Sequence, residues 1–118
     1  MTDRDQLGAQ GEKLAARHLR RNGYRIVARN FRCPLGEIDL IALGRGELCF
    51  VEVKTRQSDA YESPEVNVTA AKRRRIRRIA QYYLDRKGID DVNVRFDVVA
   101  IVTGAEGEPK IDHYEGAF

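Results

Sequence analysis

Two short stretches carry the residues best placed to do chemistry: Glu37 and Asp39 in GEIDLIAL, and Glu52 and Lys54 in ELCFVEVKTR. Each pair is spaced i, i+2, so on an extended strand both members project to one side. The turn-like Gly44-Arg45-Gly46-Glu47 between them predicts a β-hairpin. A turn centred between Arg45 and Gly46 sets Asp39 across from Glu52 and Glu37 across from Lys54, all four on one face. Like charges directly opposed destabilise a sheet by a few tenths to about 1 kcal/mol. Two facing carboxylates with an ammonium beside them therefore call for a divalent cation, and the chemistry they suit is metal-dependent phosphodiester hydrolysis.

Magnesium takes oxygen ligands at about 2.0–2.1 Å, keeps several waters, and needs only one or two protein carboxylates besides a substrate phosphate. Asp39 and Glu52 are the first candidates for Mg²⁺ or Mn²⁺, with the Val53 backbone carbonyl as a further oxygen. The metal would acidify a bound water and polarise the phosphate. Lys54 would orient the attacking water or stabilise charge developing on the phosphoryl oxygens. Glu12 is a fourth carboxylate, set by helical spacing at the edge of an apolar stripe, where it needs a partner. The same residues also fit a blander arrangement, Lys54 paired with Glu37 and Glu52 at the surface, worth about 0–1 kcal/mol.

The elements that must position these groups follow from periodicity and stop signals. A first helix is predicted from about Gln6 to Asn22, closed by Gly23. Leu7, Gly11, Leu14, Ala15, His18 and Leu19 form its buried stripe, with Gly8 and Gly11 allowing close approach to a sheet. A strand is expected over Tyr24–Phe31, then the hairpin. Ile38, Leu40 and Ala42 should share an apolar side with Cys49, Val51 and Val53. The stretch 57–68 has no periodicity and reads as a mobile connection beside the charged end. Thr69 caps a second helix from about Ala70 to Lys87, closed by Gly88, with Ile76, Ile79, Ala80, Tyr83 and Leu84 as its core stripe. Val92–Val102 reads as a central strand and Lys110–Tyr114 as a short final one. The order αβββαββ makes an α/β sandwich, a mixed sheet covered by helices.

With 118 residues, the chain has the length of one domain, here 1–118. No apolar run reaches the roughly 20 residues that cross a bilayer, and the polar start lacks a signal-peptide core. Cys33 and Cys49 form no C-x-x-C pair, so a reduced cytoplasmic setting is expected. The net charge is +3, yet Lys72, Arg73, Arg74, Arg75, Arg77 and Arg78 alone carry +6, leaving the rest net acidic. A basic block near an acidic cluster suits an enzyme acting on a polyanion. Lys72 and Arg73 lean toward the sheet from a first turn whose dipole disfavours cations. With Arg74 and Arg56 they are the candidates for nucleic-acid phosphate contact, salt-dependent and without sequence readout. Asp97, a charge inside VRFDVVAIV, either supports the site from a neighbouring strand or pairs with an arginine.

Four segments carry a resemblance: GEKLAARHL (11–19), GEIDLIA (36–42), FVEVKTR (50–56) and RFDVVAI (95–101). They resemble the YraN family of bacterial predicted endonucleases, within the PD-(D/E)XK superfamily. The resemblance covers essentially the whole chain and implies a restriction-endonuclease-like fold related to Holliday-junction resolvases. It implies divalent-metal-dependent cleavage of DNA, with Asp39, Glu52 and Lys54 matching the superfamily's catalytic set. Glu12 matches the first-helix acid of the resolvase-like branch, and Glu37 the acid two residues before the motif aspartate. Ile38 stands where the signature has proline, and Tyr61-Glu62-Ser63-Pro64 stands where the family carries a Tyr-Gly stretch. Three functions fit: a nuclease acting on branched or recombination-associated DNA, a non-catalytic nucleic-acid-binding module docking repair or recombination proteins, and an RNA-cleaving enzyme. A junction resolver would be a homodimer, because two symmetric cuts need two sites.

Overall fold

A computed structural model describes residues 3–57, 68–103 and 108–118. The elements run α1 (Asp3–Arg21), β1 (Arg25–Cys33), β2 (Gly36–Gly44), β3 (Glu47–Gln57), α2 (Ala70–Lys87), β4 (Asn93–Thr103) and β5 (Lys110–Tyr114). The five strands form one sheet in sequential order, antiparallel except for the parallel pair β3–β4. This is the expected α/β architecture, a mixed five-stranded sheet between two helices with a restriction-endonuclease-like element order. The expected connection over 57–68 and its Tyr61–Pro64 stretch lie outside the described residues, Gln57 and Val68 excepted.

Local chemistry accounts for the boundaries. Arg45 and Gly46 both have positive φ, as a two-residue type I′ turn requires, and Gly44 pairs with Glu47. Helix α2 opens on Thr69, whose hydroxyl accepts the Lys72 N–H, and closes on left-handed Gly88. Its Ile76, Ile79, Ala80 and Tyr83 are buried against Ile38, Ile41, Leu48, Phe50, Phe96 and Val98. The opposite face of the sheet packs on α1 through Ala15, Ala16 and Leu19, which meet Leu40, Ala42, Val51, Val99 and Ile101. Gly11 lets α1 sit directly on β3, since a Cβ there would run into the Thr55 side chain. Gly8 serves no such purpose; a Cβ there would meet nothing within 4 Å.

The hairpin register is the expected one from Gly44↔Glu47 to Leu40↔Val51, where the β2–β3 ladder ends. The expected cross-strand pairs Asp39↔Glu52 and Glu37↔Lys54 lie beyond that end and are not formed, and an expectation about facing fails there too. Ile38 packs with Ile41 on the α2 side, whereas Leu40 and Ala42 face α1. Residues three apart share a face on both β1 (Ala28, Phe31) and β2 (Ile38, Ile41). The alternation slips where Asn30, with φ of 50°, lies opposite Asp39 between the pairs Arg29↔Leu40 and Phe31↔Ile38. A left-handed residue in a strand rotates the residues after it, and Asn tolerates that conformation better than most. The slip lies beside the acidic residues, at the end of the sheet where β2 and β3 part.

Candidate functional site

The parting of β2 from β3 exposes an edge of β3 that Asp39 covers with its side chain. Its Oδ2 accepts the Val53 N–H at 2.7 Å, so a carboxylate replaces a backbone carbonyl in the ladder. Val53 thus enters the site through its N–H. Two cavities meet at Asp39 and Val53. One, about 660 Å³, is lined by Gly36, Glu37, Asp39, Glu52, Lys72 and Arg75 among others. The other, about 250 Å³, lies toward α1 and includes Gly8, Glu12, Asp39, Val53 and Thr55 in its walls. Four of the five predicted acid or amine residues therefore gather here: Glu12, Glu37, Asp39 and Glu52.

The electrostatics are those of crowded acids. Asp39 has its carboxyl pushed from 3.8 up to about 7, first by burial and then by the Glu52 charge. The Val53 N–H works the other way, and the charges of Glu12 and Glu37 add to the rise. Glu52 is only 8% exposed, and its Oε2 takes the Lys72 ammonium at 2.7 Å. Sequence reasoning placed Lys72 on phosphate; in the structure it is the counter-ion of an acid.

Other placements depart from expectation. Glu37 does not face Lys54; it pairs with Arg32 on β1 at 3.0 Å, exposed, because the β2–β3 ladder stops short of it. Lys54 is half-buried on β3, lines neither cavity, and makes no ion pair among the described residues. Arg73 directs its Nε to the Val68 carbonyl at 2.8 Å. Arg74 is exposed, and Arg56 is half-buried outside both cavities. Arg75, absent from the expected phosphate set, lines the larger cavity with Lys72. The i, i+3 spacing of Lys72 and Arg75 on α2 was a readable signal for it.

Asp97 belongs to a separate cluster. Its oxygens receive the Arg95 guanidinium at 2.8 and 2.9 Å, His113 Nε2 at 2.7 Å and the Gly116 N–H at 3.0 Å. Burial acts to raise its pKa, but these bonds prevail and hold it at about 2. Arg95 also reaches the Tyr24 hydroxyl and Glu47, toward the hairpin turn. Of the two readings of Asp97, pairing with an arginine is what the structure contains.

The donors around Asp39 are all oxygen, the preference of a hard cation such as Mg²⁺. Among the described residues, no three His, Cys, Asp or Glu side chains converge closely enough to cage an ion unaided. The fit is to an open site in which two carboxylates are supplemented by water and a substrate phosphate, as Mg²⁺ commonly accepts. No helix among the described residues is long and apolar enough to cross a membrane.

Residues 11–101 match the model of the "Uncharacterised protein family UPF0102". A UPF0102 protein of Geobacter sulfurreducens is 49% identical over 112 residues, covering 95% of this chain and 88% of the relative. One from Rhodococcus jostii is 51% identical, with 95% of each chain covered. One from Moorella thermoacetica is 44% identical over 116 residues, covering 98% of this chain and 97% of the relative. The match spans both helices' contributions to the site as well as the hairpin, and the chain belongs to the UPF0102 (YraN) family.

Proposed function

We propose that this protein is a divalent-metal-dependent endonuclease that hydrolyses DNA backbone phosphodiesters, with branched or recombination-associated DNA as its substrate. One observation carries the reading: Asp39 and Glu52 stand at the sheet end in one cavity that Lys72 and Arg75 also line. The acids there suit a metal, and the bases beside them suit a polyanion. Asp39 and Glu52 are the proposed Mg²⁺ or Mn²⁺ ligands, with Glu12 and the Val53 carbonyl as supplementary oxygens. Bound there, the metal would supply an acidified water and polarise the phosphate. Arg75 would hold a phosphate by charge and hydrogen bonds. Lys54 would stabilise developing charge from the β3 side, Glu37 would add to the acidity of the cavity mouth, and Arg73, Arg74 and Arg56 would follow the backbone beyond it.

A second reading, a non-catalytic DNA-binding module that docks repair or recombination proteins, draws on the placement of Lys54 outside both cavities. One experiment separates the two. A four-way junction, a linear duplex and a single strand are each incubated with the protein and Mg²⁺, Mn²⁺ or EDTA. The enzyme cuts the junction only with metal, and Asp39→Ala lowers the rate at least roughly 100-fold while DNA binding persists. If Asp39→Ala preparations cleave as well as the parent, the cutting comes from a contaminant and the nuclease reading fails.

A further inference from the structure

Lys72 stands at a position that its own helix disfavours. Thr69 is the N-cap of α2, so Lys72 is the third residue of the first turn, and its N–H bonds the Thr69 hydroxyl. That place ordinarily takes Glu or Gln, whose side chain reaches back to the cap and completes the capping box. The helix dipole is positive there, which favours acids and disfavours an ammonium. Helix α2 has no acidic residue in its first turn at all. The compensation is long-range: Lys72 Nζ lies 2.7 Å from Glu52 Oε2, with the Glu52 side chain 10% exposed. Long-range charge has overridden local preference.

The carboxylate that Lys72 holds is one of the two proposed to bind metal, and Asp39 beside it has no ammonium or guanidinium of its own among the described residues. Resting on that reading of the site, we infer that Lys72 is a tethered counter-ion that neutralises Glu52 in the metal-free protein and must be displaced for a divalent cation to enter. A carboxylate oxygen ion-paired at this distance offers less to a metal, and an ammonium adjacent to an incoming dication repels it. Lys72 therefore lowers metal affinity and keeps the acid pair from unpaired repulsion until a cation arrives. Once released, its ammonium remains in the cavity that Arg75 also lines, where it can meet a phosphate. A purely architectural bridge between α2 and β3 would have the opposite consequence for metal. Removing it would loosen Glu52 and weaken binding.

Mn²⁺ titration by calorimetry at pH 8, without nucleic acid, distinguishes these. Lys72→Met is expected to bind Mn²⁺ at least 10-fold more tightly than the parent, and to show a larger rise in melting temperature when Mn²⁺ is added. Lys72→Gln serves the same purpose should the Met variant fold poorly. Arg75→Met, which removes a charge from the same cavity but no partner of Glu52, should change the affinity less than Lys72→Met does. Unchanged or weaker Mn²⁺ binding by both Lys72 variants would overturn the counter-ion role while leaving the metal site intact. Lack of Mn²⁺ binding by parent and variants alike would overturn both the role and the metal site beneath it.

Discussion

Asp39→Asn is expected to stabilise the metal-free protein at pH 8 by roughly 1–3 kcal/mol and to flatten its stability between about pH 4 and 7. Asp39 is half-buried beside Glu52, and folding raises its pKa from 3.8 to about 7. In that window the folded state binds more protons than the unfolded state, so stability falls as pH rises. The contribution is fully present below about pH 4 and gone above about 7. The full shift corresponds to about 4 kcal/mol, which partial solvent access reduces. An amide keeps the shape and a hydrogen-bond acceptor for the Val53 N–H, while removing the repulsion with Glu52. Urea or thermal melts in EDTA across pH 4.5–8.5 measure the effect. Equal pH slopes in parent and variant would place the titrating acid elsewhere. The metal runs the linkage in reverse: affinity falls as pH drops below 7, because the ligand must first lose its proton.

Asp97→Ala is expected to cost about 3–5 kcal/mol, the largest loss from any single truncation proposed for this chain. Asp97 is fully buried and neutralises Arg95, whose side chain is only 13% exposed. Truncation leaves that guanidinium short of its main partner and strips His113 and the Gly116 N–H of theirs. Glu47 and Glu115 stay within reach of Arg95 and limit the damage. The pH signature is opposite to that of Asp39. Held at about 2, Asp97 contributes stability above about pH 4 that is lost as pH falls toward 2. Denaturant melts at pH 7 measure the loss. If Asp97→Ala melted like the parent but no longer bound metal, Asp97 would be a site residue after all.

These predictions rest on different links between sequence and structure. Turn and cap chemistry is local, so Gly44-Arg45-Gly46-Glu47 set the hairpin register, and Thr69 and Gly88 bounded α2 correctly. The hairpin turn brings Glu37, Asp39 and Glu52 to one end of the sheet, as their spacing suggested, but the ladder ends before either expected cross-strand pair forms. The slip at Asn30 and Asp39 was not legible. It coincides with the left-handed Asn30 on the neighbouring strand and leaves Ile38 on the α2 face, while the β2–β3 ladder ends before Glu37 can meet Lys54. Lys72 left a trace in the wrong residue type at the third helical position, but its partner lies 20 residues earlier on another element. For Asp97 the trace was plainer: Arg95 is two residues away on the same strand face. Ala16 joined the α1 core although the expected stripe omitted it, since close contact with the sheet admits a wider face.

The most direct examination of the account is Mn²⁺ binding at pH 8 by the parent, Asp39→Asn and Glu52→Gln proteins, with folding verified by melts. Acids 39 and 52 that line one cavity and share one cation predict a single site in the parent, weakened at least 10-fold in each variant even though Asp39→Asn is the more stable apoprotein. Undiminished binding in both variants would contradict it, and the acid pair would then be a feature of the fold without a metal to serve.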